Sequence, residues 1–206
     1  MSKIIGINNI KIKTHEKVYE PSEDSELLVN NLVNVKNKTV LDVGTGTGIQ
    51  SINALINGAK KVIGIDINPY AIKLANENLK LNNFQNNKNI KFIESDLFSN
   101  INSSLKFDVI LFNAPYLPTS EEEKLEKYLN YGFDGGPTGR VVVDKFINEV
   151  SNYLNKNGIV QIVQSSLTGE KETINLLYKN NILAKKTAYI NFFYEEIHVI
   201  TGKKQI

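Results

Sequence analysis

Residues 41–48 read Leu-Asp-Val-Gly-Thr-Gly-Thr-Gly, and this stretch decides the fold of the chain. An apolar strand runs directly into a glycine-rich turn, and a helix to about Asn57 follows. Gly44 and Gly46 allow a sharp turn and let a ligand lie against bare backbone, while Gly48 permits close packing of helix and strand. A turn of this kind binds NAD, FAD or S-adenosylmethionine, or it is only a tight turn. The turn alone therefore leaves the ligand open.

Strand and helix signals alternate on both sides of this turn. Apolar runs predict an N-terminal hairpin at 3–13, strands at 38–43, 61–66, 90–94, 107–112 and 158–163, and a closing hairpin of 188–190 with 192–200. Capping residues and helical periodicity predict helices that begin at Ser22, at Asn68-Pro69, at Thr138 and at Ser166. Residues 117–137 are expected to form a long polar loop. This alternation predicts a doubly wound α/β sheet.

Length and composition limit the classes of protein to consider. The chain of 206 residues is expected to form one domain, in which an N-terminal hairpin and helix (residues 1–34) cover the ligand site of a core (residues 35–206). The net charge is +2, from 24 basic and 22 acidic side chains, and no basic stripe indicates an extended nucleic-acid interface. The absence of cysteine excludes disulfides, zinc–thiolate sites and thiol nucleophiles.

Neither a signal-peptide core nor an apolar run of membrane-spanning length occurs, so we expect a cytoplasmic protein without a membrane segment. His15 and His198 lie near the two ends of the chain, outside any recognisable metal or triad motif. We interpret both as ordinary structural histidines, and no metal site is predicted.

Acidic residues end the second and third predicted strands. Asp66 lies 18 residues beyond Gly48, near the offset at which a carboxylate receives ribose hydroxyls, although it could instead cap a helix for which Asn68 is better placed. Asp96 could meet an adenine amino group. Asp42 would repel a pyrophosphate but can balance the charge of the amino-acid end of S-adenosylmethionine. Because the third glycine also comes one residue too early for G-x-G-x-x-G, the sequence favours S-adenosylmethionine over NAD.

Residues 107–116 read Phe-Asp-Val-Ile-Leu-Phe-Asn-Ala-Pro-Tyr. The nearly continuous apolar run predicts a buried strand of a parallel sheet, and ligands bind at the carboxyl end of such a strand. The carboxamide of Asn113, the carbonyl of Ala114 and the ring of Tyr116 could hold a planar NH2 group there. Such a site suits methylation of an amide or an exocyclic amine. Alternatively, the strand only ends in an Asx or proline turn.

Taken together, these segments resemble the HemK family of class I methyltransferases, the glutamine methyltransferases of translation release factors. The resemblance is greatest to their archaeal and eukaryotic branch and runs from residue 18 to about residue 200. It rests on residues 18–25 (Val-Tyr-Glu-Pro-Ser-Glu-Asp-Ser), 42–48, 66–69 (Asp-Ile-Asn-Pro), 95–97 (Ser-Asp-Leu), 113–116 and 134–140 (Asp-Gly-Gly-Pro-Thr-Gly-Arg). It implies a mostly parallel seven-stranded, Rossmann-like sheet with a C-terminal antiparallel hairpin.

The resemblance also implies roles for individual residues. Contacts with S-adenosylmethionine are expected from Tyr19, Ser25, Asp42, Gly44, Gly46, Gly48, Asp66, Ile67, Asp96, Leu97 and Asn113. The implied catalytic segment is Asn113, Ala114, Pro115 and Tyr116, in which Asn113, Pro115 and Tyr116 hold the substrate, and Arg140 would grip the substrate backbone. The family has Asn-Pro-Pro-Tyr here. Alanine still supplies the backbone carbonyl that the chemistry needs, and Pro115 keeps Ala114 extended.

The implied activity is S-adenosylmethionine-dependent N5-methylation of the glutamine in the Gly-Gly-Gln motif of a release factor. One alternative is methylation of N6 of adenine or another exocyclic amine in nucleic acid, although the near-neutral charge makes nucleic acid the less favoured partner. A non-catalytic cofactor-binding scaffold is the other alternative. Relatives in this branch work with a small zinc-binding activator subunit that adds a strand to the sheet, so the resemblance implies such a partner at the edge near the third strand.

Overall fold

The computed structural model describes residues 3–205, which contain a seven-stranded sheet and a separate two-stranded sheet. The strands are β1 (Ile4–Ile7), β2 (Ile10–Lys13), β3 (Thr39–Val43), β4 (Lys61–Asp66), β5 (Ile90–Glu94), β6 (Phe107–Asn113), β7 (Leu154–Ser165), β8 (Ile182–Asn191) and β9 (Glu196–Lys204). The α-helices are α1 (Glu23–Asn30), α2 (Ile49–Ile56), α3 (Pro69–Leu81), α4 (Lys127–Asn130), α5 (Val141–Val150) and α6 (Glu170–Lys179). Short 3-10 turns occupy Glu121–Glu123, Ser151–Tyr153 and Ser166–Thr168.

The large sheet has the strand order β5-β4-β3-β6-β7-β9-β8. The first five of these strands are parallel, whereas β9 runs antiparallel to both β7 and β8. The predicted mostly parallel sheet with a C-terminal antiparallel hairpin is therefore confirmed. From β3 the chain winds outward to β5 and then returns to place β6 on the other side of β3. This reversal opens a crevice at the carboxyl ends of β3 and β6, where doubly wound folds bind their ligands.

Apolar clusters cover both faces of the sheet. On β6, Ile110 and Phe112 belong to one cluster together with Phe146 of α5. Val109 and Leu111 belong to the opposite cluster, which also includes side chains of α1, α2 and the N-terminal hairpin. Because β6 is buried on both faces, its run of apolar residues is nearly continuous, as is usual for a parallel strand.

The β1–β2 hairpin is fastened to α3. The Oδ1 atom of Asn78 accepts a hydrogen bond from the backbone N–H of Lys13 at 2.8 Å, and its Nδ2 atom donates to the carbonyl of Lys13 at 3.1 Å. The predicted division of the chain at residue 34 stays a prediction.

The segment that follows α1 is fastened to the opposite half of the sheet by Gln161 of β7. The backbone N–H of Val33 donates to Oε1 of Gln161 at 3.0 Å, and Nε2 of Gln161 donates to the carbonyl of Asn31 at 3.0 Å. One buried glutamine thus satisfies two backbone groups of a segment that lies 128 residues away from it in sequence.

Two predicted helix starts are wrong. The helix expected to be capped by Thr138 begins instead at Val141, because the backbone N–H of Gly139 donates to Gly136 and that of Val141 donates to Gly135. These bonds fold residues 136–140 into turns. The helix expected from Ser166 begins at Glu170, after a 3-10 turn.

Other predicted boundaries also differ from the structure. The closing hairpin turns at residues 192–195, where the N–H of Phe192 donates to the carbonyl of Glu195 at 2.8 Å, so β8 is longer and β9 begins later than predicted. The polar loop at 117–137 contains the short helix α4. In residues 3–205 we find no helix with the length and hydropathy needed to cross a membrane.

Candidate active site

A cavity of about 260 Å³ lies at the carboxyl ends of β3, β4 and β6. Three separate parts of the chain build its walls: the segment from Val18 to Ser25, the strand ends with the glycine turn, and the loop at 128–134. The predicted residues that line it are Tyr19, Ser25, Gly44, Gly46, Asp66, Ile67, Asp96, Leu97, Asn113, Ala114 and Pro115. Asp42, Gly48, Tyr116 and Arg140 are not among the lining residues. The structure thus brings most of the predicted residues together.

Asp42 lies behind the glycine turn rather than in the cavity. Its Oδ2 atom accepts hydrogen bonds from Thr45 Oγ1 at 2.6 Å, from Ser51 Oγ at 2.7 Å and from the backbone N–H of Ser51 at 3.0 Å. Burial raises the pKa of this carboxyl to about 6, although its hydrogen bonds favour the ionised form. Asp42 therefore braces the turn against α2, and its predicted contact with the cofactor has no support from this geometry.

The glycine turn needs glycine for two different reasons. Gly44 and Gly46 have φ angles of +62° and +53°, which place their backbone in the left-handed region. Gly48 caps α2, and a Cβ atom there would lie 3.0 Å from the Cβ atom of Ala75. Gly48 therefore permits the close approach of α3, while the other two glycines expose backbone to the cavity.

Asp66 joins the end of β4 to the glycine turn and also lines the cavity. Its Oδ2 atom accepts from the N–H of Gly46 at 2.8 Å, and its Oδ1 atom accepts from the N–H of Asn68 at 2.9 Å. Burial raises the pKa of Asp66 to about 6, against the effect of these backbone hydrogen bonds. Each carboxylate oxygen keeps a lone pair with which it can accept from a ligand hydroxyl.

Asp96 and Leu97 also line the cavity. The carboxylate of Asp96 is exposed and lies 3.0 Å from Nζ of Lys145. Leu97 has a φ angle of +45°, and its carbonyl accepts from Ser95 Oγ at 2.7 Å. This turn places a short apolar surface beside a carboxylate, which suits a flat heterocycle with an amino group.

The carboxamide of Asn113 is held in one orientation. Its Nδ2 atom donates to Asp24 Oδ2 at 3.1 Å and to Ser25 Oγ at 3.2 Å. Because an ionised carboxylate can only accept hydrogen bonds, the carboxamide must present its NH2 group to Asp24. The Oδ1 atom is buried and has no hydrogen-bond partner within residues 3–205. A buried acceptor of this kind is costly to leave unsatisfied, so it indicates a ligand that brings an N–H donor.

Asp24 was not predicted from the sequence, yet it connects several site residues. Its buried carboxylate accepts from the hydroxyl of Tyr19 at 2.9 Å and from that of Tyr116 at 3.3 Å, in addition to Asn113. Burial is the main cause that raises the pKa of both phenols, and the charge of Asp24 raises it further. Both hydroxyls therefore remain donors at neutral pH. Tyr116 is not among the lining residues, but its hydroxyl and Nδ2 of Asn113 donate to the same oxygen of Asp24; its predicted contact with the substrate stays a prediction.

Arg140 is occupied by the chain itself. Its Nη1 atom donates to the carbonyls of Thr168 and Gly169, at 2.5 and 3.0 Å, and to Thr173 Oγ1 at 3.1 Å. Its Nη2 atom lies 2.5 Å from a carboxylate oxygen of Asp144. These bonds join the start of α5 to the start of α6, and they give no support to the predicted grip on a substrate backbone.

Two further lining residues, which the sequence did not single out, carry buried acceptor atoms without partners in the described part of the chain: Thr47 Oγ1 and Gln50 Oε1. Their exposed fractions are only 2% and 3%. Gln50 Nε2 donates to the carbonyl of Ser25 at 2.8 Å, so the position of Oε1 is fixed. Thr47 belongs to the glycine turn and could have been predicted from it. No signal in the sequence marks Gln50.

Outside the cavity, Glu170, Glu196 and His198 present atoms that lie within 4.8 Å of one another, as metal ligands do. However, Nζ of Lys186 lies 3.1 Å from the carboxylate of Glu170 and 2.7 Å from that of Glu196. The lysine already supplies the positive charge that a metal would bring. His198 is buried and contacts Glu196 at 3.2 Å, and the prediction that no metal site exists stays a prediction.

Comparison with known proteins identifies the family. Residues 34–204 match the protein family described as "Methyltransferase domain". The chain is 59% identical to a "Putative protein N5-glutamine methyltransferase" of Methanocaldococcus jannaschii, over 97% of this chain and 98% of that protein. It is 41% identical to the "Release factor glutamine methyltransferase" of Fusobacterium nucleatum over 56% of this chain, which corresponds to 33% of that longer protein.

Among solved structures, a chain of the E. cuniculi Mtq2-Trm112 complex, which methylates the eRF1 translation termination factor, superposes with a TM-score of 0.71. It is 24% identical, and the match covers 92% of this chain and 99% of that one. At this identity the superposition shows the shared fold. The chain belongs to the methyltransferase domain family, and its predicted resemblance to the HemK branch is confirmed.

Proposed function

We propose that this protein transfers a methyl group from S-adenosylmethionine to the side-chain nitrogen of the glutamine in the Gly-Gly-Gln motif of a translation release factor. The single observation that carries the proposal is the buried, unpartnered Oδ1 atom of Asn113, whose carboxamide is locked by Asp24. Asn113 lines the cavity, and an acceptor oxygen without a partner suits the N–H group of a carboxamide. The names of the M. jannaschii and F. nucleatum relatives support the same acceptor chemistry.

The cavity residues fit S-adenosylmethionine. The α-ammonium group of its amino-acid end is a donor, and Thr47 Oγ1 and Gln50 Oε1 are buried acceptors without partners in the described chain. Asp66 can accept from ribose hydroxyls, and the surface formed by Asp96 and Leu97 can receive the adenine. The cofactor would bring an electrophilic sulfonium methyl group to the side of Asn113.

The target amide is a poor nucleophile because its nitrogen lone pair is delocalised into its carbonyl. If Asn113 Oδ1 and the carbonyl of Ala114 accept its two N–H bonds, the nitrogen gains electron density and is aimed at the methyl group. No general base is required, because the nitrogen becomes strongly acidic once it is alkylated and loses its proton to water. Correct placement of the reacting atoms can contribute about 7–11 kcal/mol in favourable systems.

The structure of the whole molecule suggests where partners would bind. Within residues 3–205 the edge strand β5 pairs only with β4, so its outer edge can accept a further strand. We propose that the small zinc-binding activator subunit implied by the family resemblance binds there, and that the protein acts in the cytoplasm on its release-factor substrate. The two-protein Mtq2-Trm112 complex supports a partner subunit. Co-expression with such a subunit would increase the yield or activity of the protein if the assignment is right.

The acceptor is tested by incubating the protein and labelled S-adenosylmethionine with a release factor, with its Gly-Gly-Gln→Gly-Gly-Glu variant, and with duplex and single-stranded DNA. We expect mass spectrometry to find one added methyl group on the glutamine of the release factor alone. Methylation of adenine in DNA, with an unmodified release factor, would overturn the proposal in favour of a nucleic-acid acceptor. If nothing is methylated with or without the activator subunit while the cofactor binds, the protein is a non-catalytic scaffold.

A further inference from the structure

The turn between β8 and β9 exposes three consecutive aromatic residues. Phe193 and Tyr194 have exposed fractions of 90% and 86%, and Phe192 is also exposed. The rings of Phe193 and Tyr194 contact each other edge-to-face, with centroids 4.6 Å apart. We call residues 192–194 the aromatic tip. Single exposed apolar residues are normal on protein surfaces, but contiguous exposed aromatic groups mark interaction sites.

Polar contacts at its base hold the aromatic tip in place. The carboxylate of Glu195 accepts from Ser165 Oγ at 2.6 Å, and the N–H of Glu196 donates to Ser166 Oγ at 3.0 Å. Lys186 on β8 contacts Glu196 on β9 at 2.7 Å. A turn that is this well anchored loses little conformational entropy on binding, which favours its use as a docking element.

The aromatic tip lies on the same edge of the sheet as the candidate acceptor site. Asn113 at the end of β6 pairs with Val163 of β7, and Ser165 at the end of β7 pairs with Ile197 of β9. Adjacent strands are about 4.8 Å apart, so β9 lies about 10 Å from β6 across the sheet, and Ile197 lies about 7 Å further along the strands than Asn113. The charge of Glu195 also acts on the phenol of Tyr116, in agreement with this proximity.

The size of protein interfaces connects the aromatic tip with the neighbouring acceptor site. A standard interface buries about 800 Å² on each partner, which corresponds to a patch of about 16 Å in radius. A protein that presents a side chain to Asn113 and Ala114 through an interface of this radius would reach the base of the aromatic tip, which lies about 12 Å away by these strand spacings. We propose that the aromatic tip is a docking surface for the methyl-acceptor protein. Its exposed rings bind apolar surface that the acceptor protein carries beside the residue to be methylated.

This inference rests on the proposed function, because it takes the acceptor to be the release factor. It predicts that the protein substrate and a short peptide depend on different parts of the enzyme. A peptide that contains only the Gly-Gly-Gln motif would reach Asn113 without covering the aromatic tip. The folded release factor would need both.

The test uses the double variant F193S/Y194S and the control variant Y178S. Tyr178 is also exposed, at 67%, but it lies near the end of α6, at the opposite end of the β8 strand. We expect the double variant to bind the release factor at least about tenfold more weakly in the presence of S-adenosylhomocysteine, as measured by calorimetry, and to raise KM rather than lower kcat. Affinity for S-adenosylhomocysteine, methylation of the short peptide and binding by Y178S should change by less than about twofold.

Equal binding of the release factor by wild type and F193S/Y194S would overturn the docking surface and leave the proposed function intact. A wild-type protein that neither binds nor methylates the release factor would overturn both. A dimer that F193S/Y194S converts to a monomer, measured by light scattering, would assign the aromatic tip to a second copy of the chain and overturn the inference. Melting temperatures of all variants should equal that of the wild type, because the three side chains are exposed.

Discussion

The carboxamide of Asn113 has two ends in different environments, and Asp24 is the cause of the difference. The NH2 end is bonded to the Asp24 carboxylate and to Ser25, whereas the oxygen is buried without a partner among residues 3–205. A single buried carboxylate thus determines which atom of the neighbouring side chain is offered to a ligand. Tyr19 and Tyr116 donate to the same carboxylate and keep it in position.

Removing the offered oxygen should stop the reaction without preventing cofactor binding. For Asn113→Ala we expect methyl transfer to fall by about a hundredfold or more, as for the loss of other positioned hydrogen-bonding groups in active sites. Affinity for S-adenosylmethionine, measured by calorimetry, should stay within a small factor of wild type. A variant that still methylates at nearly the wild-type rate would show that Asn113 does not hold the acceptor.

Neutralising Asp24 should act through the orientation of Asn113. In Asp24→Asn the carboxamide of Asn113 can flip, because its partner now both donates and accepts, and we expect kcat to fall by about 10–100-fold. Tyr116→Phe removes only one donor to the carboxylate and should have a smaller effect. Single-turnover rates and cofactor affinities separate an effect on the orientation of Asn113 from an effect on cofactor binding. An unchanged kcat in Asp24→Asn would show that Asp24 does not position Asn113.

The pKa of Asp66 predicts the pH dependence of cofactor binding. Burial raises this pKa to about 6 in the ligand-free protein, whereas ribose hydroxyls that donate to the carboxylate favour its ionised form. The pKa must therefore fall on binding, so affinity is highest above pH 6 and decreases by up to about tenfold per pH unit below it. Calorimetry in buffers of different ionisation enthalpy should detect proton release near pH 6. Asp66→Asn should bind more weakly and lose this pH dependence, while Asp42→Asn should retain it.

Some site residues could be predicted from the sequence because they end strands. Asn113, Asp66 and the glycines of residues 44–48 each follow an apolar run directly, and parallel strands bring their carboxyl ends together. Asp24 could not be predicted, because its contact with Asn113 spans 89 residues and depends on how α1 docks onto the sheet. The contacts of Arg140 with Thr168, Gly169 and Thr173 could not be predicted either, because these partners lie 28 or more residues away and depend on how the start of α6 packs on α5.

Among the elements, α2 and α3 approach each other at Gly48, where the φ angle is +84° and Ala75 is the nearest neighbour. A side chain at this position would be strained by the backbone and would also collide with α3.

The element boundaries that were predicted wrongly share one physical cause. The start of α5 and the turn between β8 and β9 are fixed by backbone hydrogen bonds within loops, which leave no periodic apolar signal.

The contact between α2 and α3 predicts a difference between two glycine substitutions. Gly48→Ala should lower the free energy of unfolding by about 2–3 kcal/mol, because it adds left-handed strain and overpacking against Ala75. Gly6→Ala is the matched control, since its Cβ atom would meet nothing within 4 Å and the residue is exposed. Denaturant titration measures the free energy of unfolding of both variants. A Gly48→Ala protein as stable as the wild type would contradict the packing described for this turn.

On the scale of the whole molecule, three segments distant in sequence share one cavity. Residues 18–25, 44–50 and 128–134 contribute to its walls. Asn68 ties the chain just before the first segment to the third segment, by donating to the carbonyls of Lys17 and Tyr128. A ligand that fills the cavity should therefore stabilise all three segments together.

Hydrogen exchange tests this expectation. S-adenosylhomocysteine at about 100 times its Kd should stabilise the protein by about 2.7 kcal/mol. We expect hydrogen exchange, measured by mass spectrometry of peptides, to become slower in all three segments and to change little in the β1–β2 hairpin. Protection confined to the glycine turn would show that the N-terminal segment and the 128–134 loop do not enclose the cofactor.

The attachment of residues 31 and 33 to Gln161 has a consequence for synthesis on the ribosome. Strands β3 to β6 are complete once residue 113 has emerged, and domains begin to fold while the chain is still growing. Gln161, which anchors the segment after α1, is synthesised about 130 residues later than that segment. A nascent chain can therefore already have formed its glycine turn and still lack a closed cavity. We therefore expect the nascent chain to bind the cofactor only after Gln161 has left the ribosome.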